Sequence, residues 1–286
     1  MIIDFHTHVF PEEICQNRER YFHHEPAFKL LYDSDKSKLV TAETILDSMD
    51  QNQIDLSVVF GFPWKNMETS RFCNDYIIEV VSRYPKWFKG LSCFDPSAKD
   101  AAKETERCIQ AGLSGVGELA FYQSGIDRNS LNHLQPIMEI CKEKNLPVLI
   151  HTNEPVGHQY PGKTPNTLLQ IYEIPLRFPD NRIVLAHWGG GIFFYRLLKK
   201  ETRDVLKNIY YDTAASPFLY HPEIYALSCT IAGHEKILFG SDFPLLSPAR
   251  YFTELDTADV APEIRKDILG NNAARLLHID PEKSFL

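Results

Sequence analysis

Short apolar runs recur along this chain, and each is followed by a longer stretch whose apolar residues return at helical spacing. Residues 2–5, 56–60, 88–93, 115–119, 148–150, 183–186, 209–211 and 237–239 read as eight buried strands. The amphipathic segments 42–51, 74–83, 99–111, 131–144, 167–178 and 222–232 are long enough to carry the chain back across a sheet. The alternation predicts an α/β fold whose strands and returns close into a (β/α)8 barrel, the TIM barrel architecture.

Two segments depart from the repeat. Residues 9–40 are too long and too polar for a plain loop after the first strand, and they predict an insertion capping the barrel mouth. Residues 262–277 predict one or two extra C-terminal helices, with Gly270-Asn271-Asn272 as a break. No linker or repeat divides the chain, so residues 1–286 are expected to form a single barrel domain.

Composition narrows the function. The net charge of −8, without a basic cluster, argues against nucleic acid as a partner. The six cysteines include no Cys-x-x-Cys pair and read as small buried residues. No apolar run approaches the length of a membrane span or a signal segment, so the expectation is a cytoplasmic protein with a small-molecule substrate. A homodimer is the default for oligomeric state.

The chemistry emerges from the strand ends, because barrel active sites lie at the carboxyl ends of the strands. His6 and His8 alternate at the end of the first, Glu118 lies on the fourth, and His151, His187 and Asp242 follow the fifth, sixth and eighth. Alone, each has an ordinary structural reading as a hydrogen-bonded histidine, a turn residue or an ion-pair partner. Together in one half-buried mouth, imidazoles and carboxylates need a common counter-charge, which a divalent cation supplies. Zinc is the first expectation, and manganese, iron and cobalt accept the same ligand types. Trp64, Phe121, Tyr122, Asn153, Glu154, His158, Tyr160, Trp188, Ser216 and Phe243 fall just after strands as candidate pocket residues. Gly189-Gly190-Gly191 is a candidate anion site at a helix start, and Arg196 and Arg250 are candidates for holding a carboxylate.

The motifs Asp4-Phe5-His6-Thr7-His8, Val116-Gly117-Glu118-Leu119, Leu149-Ile150-His151-Thr152, Ala186-His187-Trp188-Gly189-Gly190 and Phe239-Gly240-Ser241-Asp242-Phe243-Pro244 occur in this order. With Gly270-Asn271-Asn272-Ala273-Ala274-Arg275-Leu276, the set resembles the amidohydrolase superfamily of metal-dependent barrels, and within it the amidohydrolase-2 branch. The resemblance implies a metal held by His6, His8, His151 and Asp242, with His187 polarising the substrate. Glu118 would bridge a second metal if one is bound, and His187 would then become a ligand. Asp242 would act as general acid and base. The implied function is hydrolysis of an amide, lactone or ester by metal-activated water. The alternative is non-oxidative decarboxylation of an unsaturated or aromatic acid with the same ligand set. Glu118 favours hydrolysis, since a second metal promotes hydroxide formation.

Overall fold

The computed structural model describes residues 1–280, in which eight parallel strands form the frame: β1 (Ile3–His8), β2 (Leu56–Phe60), β3 (Phe88–Gly90), β4 (Val116–Leu119), β5 (Val148–Ile150), β6 (Ile183–Leu185), β7 (Ile209–Asp212) and β8 (Ile237–Leu238). Ladders run β1-β2-β3 and β4-β5-β6-β7-β8. Two isolated bridges, Ser92 to Val116 and Thr7 to Phe243, join the two sheets into a barrel. The Gly117 amide donates to the Ser92 carbonyl at 2.8 Å, and the Phe5 amide to the Phe239 carbonyl at 2.8 Å.

Alternating side chains divide between two cores. Phe5, Val58, Leu149 and Val184 pack together, whereas Val59, Val148, Ile150, Ile183 and Leu185 pack against the surrounding helices. Burial on both faces explains why the strands read as continuous apolar runs. Ala273, Ala274 and Leu276 join the first of these clusters.

Helices Ala42–Asn52, Ala101–Gln110, Arg128–Glu143, Leu168–Arg177 and Glu223–Ala232 lie close to their expected bounds. Met67–Arg83 begins seven residues before the expected start at 74, because the Asn66 side chain caps it by accepting from the Glu68 and Thr69 amides. The return from β6 to β7 opens instead with a left-handed turn over Trp188, Gly189, Gly190 and Gly191, with φ between 60° and 88°. The glycine run therefore does not begin an ordinary helix, and its reading as a helix-start anion site lacks its structural basis. Gly190 permits close packing: a Cβ there would lie 2.4 Å from the Asn153 carbonyl oxygen, a contact no side chain tolerates.

The insertion after β1 is folded. It contains helices Glu12–Asn17 and Pro26–Tyr32 and a 3-10 turn at Arg18–Tyr21. Phe10, Ile14, Phe28, Phe62 and Trp64 form its buried centre, with Tyr21, Phe22 and Tyr32 packed around them. The buried Glu25 carboxylate accepts from the Lys65 amide at 3.1 Å and the Asn66 amide at 2.8 Å, tying the cap to the loop after β2. At the C-terminus, Pro262–Lys266 and Asn272–Leu276 are joined by a π-helical turn over Asp267–Asn271, so the expected break is a widened turn. Among the described residues no helix is long and apolar enough to cross a membrane.

Candidate metal centre

β1 presents His6 and His8 on one face, with ring centroids 5.2 Å apart. One step earlier, the Asp4 carboxylate accepts from the Ser241 amide at 2.9 Å and the Ser241 hydroxyl at 2.5 Å, fastening the start of the barrel to the loop after β8. Burial pushes the Asp4 carboxyl up to about 7 against the opposing pull of these Ser241 hydrogen bonds. Gly240 leaves room for His6, since a Cβ there would approach the His6 Cβ to 2.7 Å. His187 and Asp242 both have left-handed backbones, with φ of 55° and 58°. The His187 amide is held by Asp212 Oδ1 at 2.8 Å, and the Asp242 amide by the His6 carbonyl at 2.9 Å. Both unusual conformations are thus anchored by groups in the same site.

The six residues singled out by sequence meet at one point. Glu118 Oε1 lies 3.0 Å from His151 Nδ1 and 3.5 Å from His187 Nε2. Its Oε2 lies 3.8 Å from His6 Nε2 and 3.9 Å from His8 Nε2. Asp242 Oδ1 lies 3.3 Å from His8 Nε2 and 3.7 Å from His6 Nε2. Glu118 stands between the β1 pair and the β5–β6 pair, and Asp242 faces the β1 pair.

The outer nitrogens define the orientation of each ring. His6 Nδ1 donates to Asp212 Oδ2 at 2.8 Å, His187 Nδ1 to the Ala214 carbonyl at 2.9 Å, and His151 Nε2 to the Gly162 carbonyl at 3.0 Å. His8 Nδ1 makes a longer contact, 3.4 Å, with the Gly61 carbonyl. None of these partners can donate, so in each neutral ring the inward nitrogen carries the lone pair. His6 Nε2 is buried without a hydrogen-bond partner. Outward donation to carboxylates and carbonyls, with lone pairs converging inward, is how proteins orient metal-binding imidazoles.

Electrostatics agree. Burial opposes charge on His6, but Asp212 and Glu118 outweigh it and raise its pKa to about 10. Burial likewise opposes charge on His187, while the Glu118 hydrogen bond and Asp242 raise it to about 9. Against the cost of their own burial, His151 and His6 hold Glu118 well below the usual carboxylate range, and the His8 hydrogen bond and His6 bring Asp242 down to about 2. The protein alone neutralises its carboxylates with imidazole protons, and a divalent cation serves the same role. The donor set fits such an ion.

Sequence reasoning missed Asp212. It ends β7 as His151 and His187 follow β5 and β6, but the expected strand stopped one residue short. Cys93 was also missed: its thiol donates to the Glu118 carbonyl at 3.1 Å, and its own amide donates to Asn74 Oδ1 at 2.9 Å. Several expected pocket residues do not reach the metal ligands, although Glu154 and His158 line a cavity of about 870 Å³. Trp64 is sealed in the cap, 4.3 Å from the Phe28 ring. Trp188 is buried and donates to Ser216 Oγ at 2.9 Å. Asn153 holds its own loop through Thr164, while Glu154 is paired with Lys163 and Tyr160. Arg196 donates to the Leu206 carbonyl and Arg250 lies over the Phe218 ring, so neither contacts the metal centre. Tyr122 does approach it, with its ring 6.1 Å from that of His151.

Residues 3–279 match the Amidohydro_2 model, described as amidohydrolase, and the chain belongs to that family. It is 24% identical to a 2-amino-3-carboxymuconate-6-semialdehyde decarboxylase of Dictyostelium discoideum, over 98% of this chain and 92% of the relative. It is 23% identical to a 2-keto-4-carboxy-3-hexenedioate hydratase of a Sphingobium species, over 96% of each. Among solved structures, 5-carboxyvanillate decarboxylase of Sphingomonas paucimobilis superposes with a TM-score of 0.77 at 20% identity, covering 98% of this chain and 99% of that one. A dihydroxybenzoic acid decarboxylase of a Polaromonas species, solved with manganese and the inhibitor 2-nitroresorcinol, gives 0.72 at 17% identity, covering 99% and 98%. These likenesses support the expected TIM barrel.

Proposed function

We propose that this chain is a metal-dependent non-oxidative decarboxylase of a small unsaturated or aromatic carboxylic acid. The observation that carries the reading is the convergence of four imidazoles, each turned inward by an outward hydrogen bond, on Glu118 and Asp242. The choice of reaction draws on the relatives, two of which are named for decarboxylation and hydration. Both names describe lyase chemistry, so the hydrolysis expected from sequence gives way to its alternative.

His6, His8, His151, Glu118 and Asp242 would hold one divalent ion, with manganese and zinc both suited to the donors. When bound, the ion supplies positive charge that fixes an anionic substrate and stabilises negative charge as it develops. In the reaction the bond from the substrate carbon to its carboxylate breaks, carbon dioxide leaves, and the electron pair stays on carbon and takes up a proton. Asp242, an ionised carboxylate held in the mouth by its turn and facing His8, would relay that proton from solvent water to carbon through a carboxyl oxygen, leaving hydroxide to be neutralised by the departing carbon dioxide. His187, with Nδ1 committed to Ala214 and its pKa raised to about 9, would donate from Nε2 of its protonated ring to a substrate oxygen.

The test uses manganese-loaded and zinc-loaded protein with a panel of aromatic and dienoic acids labelled with carbon-13 in the carboxylate. Labelled carbon dioxide is expected from at least one acid and is lost in Asp242→Asn. Water addition to a double bond, or cleavage of esters and lactones, with no acid losing carbon dioxide would replace the reading.

A further inference from the structure

Two phenols beside the metal centre take no part in the chemistry above. Tyr32 is the last residue of the cap helix Pro26–Tyr32, and Tyr122 follows β4. Phe62, from the loop after β2, joins them. Its ring stacks on Tyr122 at 6.1 Å with an interplanar angle of 16°, and meets Tyr32 edge-on at 6.3 Å. Tyr32 is fixed further by Phe28 at 4.8 Å and Phe10 at 5.6 Å, and Tyr122 lies 6.1 Å from His151. Three separate segments thus build an aromatic wall that reaches the metal ligands through Tyr122.

Both rings are held, yet neither hydroxyl has a hydrogen-bond partner among the described residues. Other tyrosines differ. Tyr251 donates to the Ser241 carbonyl at 2.6 Å and Tyr160 to Glu154 at 2.8 Å. Tyr211 and Tyr225 are unpaired but sealed in the core, whereas the hydroxyls of Tyr32 and Tyr122 are not among the sealed atoms. Burial, then the charges of Asp242 and Glu118, push the Tyr32 hydroxyl up. Burial, Glu118 and Tyr32 push up Tyr122. Both phenols are therefore unpaired donors on fixed rings, and the Tyr122 ring stands directly beside His151.

From this arrangement we infer that Tyr32 and Tyr122 form a two-donor clamp for a neutral oxygen substituent on a flat substrate. The clamp makes them specificity-determining residues. The inference rests on the proposed decarboxylase reading for the presence of an unsaturated carboxylate, and adds what distinguishes the accepted acid from its analogues. A hydroxyl or carbonyl oxygen on the ring accepts from the phenols, whose rings Phe62 holds in place from behind. A second carboxylate meets the field of Asp242 and Glu118, so it is disfavoured.

The experiment is calorimetric binding of benzoate, the three monohydroxybenzoates and benzene-1,2-dicarboxylate to manganese-loaded protein. The same titrations are made on Tyr32→Phe, Tyr122→Phe and the double variant, with manganese content measured in each. At least one hydroxybenzoate should bind wild type roughly fivefold or more tightly than benzoate. That preference should fall in each single variant and vanish in the double variant at unchanged manganese content, and the dicarboxylate should bind no better than benzoate. Absence of any hydroxyl preference, its survival in the double variant, or tighter binding of the dicarboxylate would overturn the clamp. Binding is read without turnover, so failure of every acid to release carbon dioxide would remove the decarboxylase reading and leave this result standing.

Discussion

Asp212 accepts the Nδ1 proton of His6 at 2.8 Å through one carboxylate oxygen, and with the other it accepts the His187 backbone amide at 2.8 Å. One fully buried carboxylate thus sets the tautomer of a β1 histidine and the backbone turn that presents the β6 histidine. Partners of this kind raise the basicity of a ligating imidazole and restrict its rotation. Asp212→Asn should therefore weaken metal binding roughly ten- to a hundredfold. Competition against a calibrated chelator measures the loss, and an unchanged dissociation constant would show that Asp212 does not support the ligands.

His6 and Asp242 face the same point but should fail differently. His6→Ala removes the imidazole whose Nε2 has no other partner, and the purified protein should lose most of its metal. Asp242→Asn keeps an oxygen donor but cannot accept or deliver a proton, so it should retain substantial metal and lose turnover by roughly a hundredfold or more. Mass spectrometric metal content, read beside activity, separates the two. Equal turnover in Asp242→Asn and wild type would exclude its role in proton transfer.

Glu118 bears on stoichiometry. It lies within 3.9 Å of the inward nitrogens of all four histidines, so it is placed either to ligate one ion or to bridge two. We expect one tightly held ion per chain. Glu118→Ala should lower its affinity without halving a count of two, and near two ions per wild-type chain falling to one in the variant would make Glu118 a bridge and His187 a ligand.

The parts of this site that are legible in sequence are those with a local signature. Parallel strands buried on both faces leave apolar runs, and a polar residue at the end of such a run stands out, as do His6, His151 and His187. Asp212 has the same signature, but Tyr210 and Tyr211 blur the strand's end. Leu91, Ser92 and Cys93 continue the apolar pattern of β3 although regular pairing stops at Gly90, leaving Ser92 in an isolated bridge. The cap is less legible, because its stability comes from aromatic contacts between distant segments. Nothing near Tyr32 in sequence indicates that Phe62 and Tyr122 will share its wall.

Phe28 tests whether the cap is an independent part of the site. It is fully buried and lies within 5.3 Å, ring to ring, of Tyr32, Phe62 and Trp64. Phe28→Ala opens a cavity at the centre of that cluster and should cost about 3–5 kcal/mol of stability. None of the metal ligands touches its ring in the aromatic cluster, so metal content should stay at the wild-type level while binding of aromatic acids weakens. Chemical unfolding, metal analysis and calorimetry report the three effects, and loss of metal with ligand would mean that cap and metal centre fold as one unit.

A second buried carboxylate predicts a pH dependence away from the metal. Glu104 accepts from Arg107 at 2.9 and 2.7 Å and from Asn74 Nδ2 at 2.9 Å, and Asn74 in turn holds the Cys93 amide in the segment just beyond β3. Burial alone would raise the Glu104 pKa, but the Arg107 and Asn74 hydrogen bonds reverse the balance and hold it below the ordinary 4.5. A carboxylate whose folded-state pKa is lowered binds protons more weakly in the native state. Its stabilisation is therefore fully present above about 4.5 and is lost as pH falls through the lower native value. Wild type should lose stability more steeply than Glu104→Gln below that point. At neutral pH the variant should be less stable by about 1–3 kcal/mol, from weakening a buried charge-assisted network. Urea unfolding midpoints from pH 3 to 7 decide the matter: parallel curves for the two proteins would show that Glu104 carries no linked proton, and the network through Asn74 to β3 would then be held by packing alone.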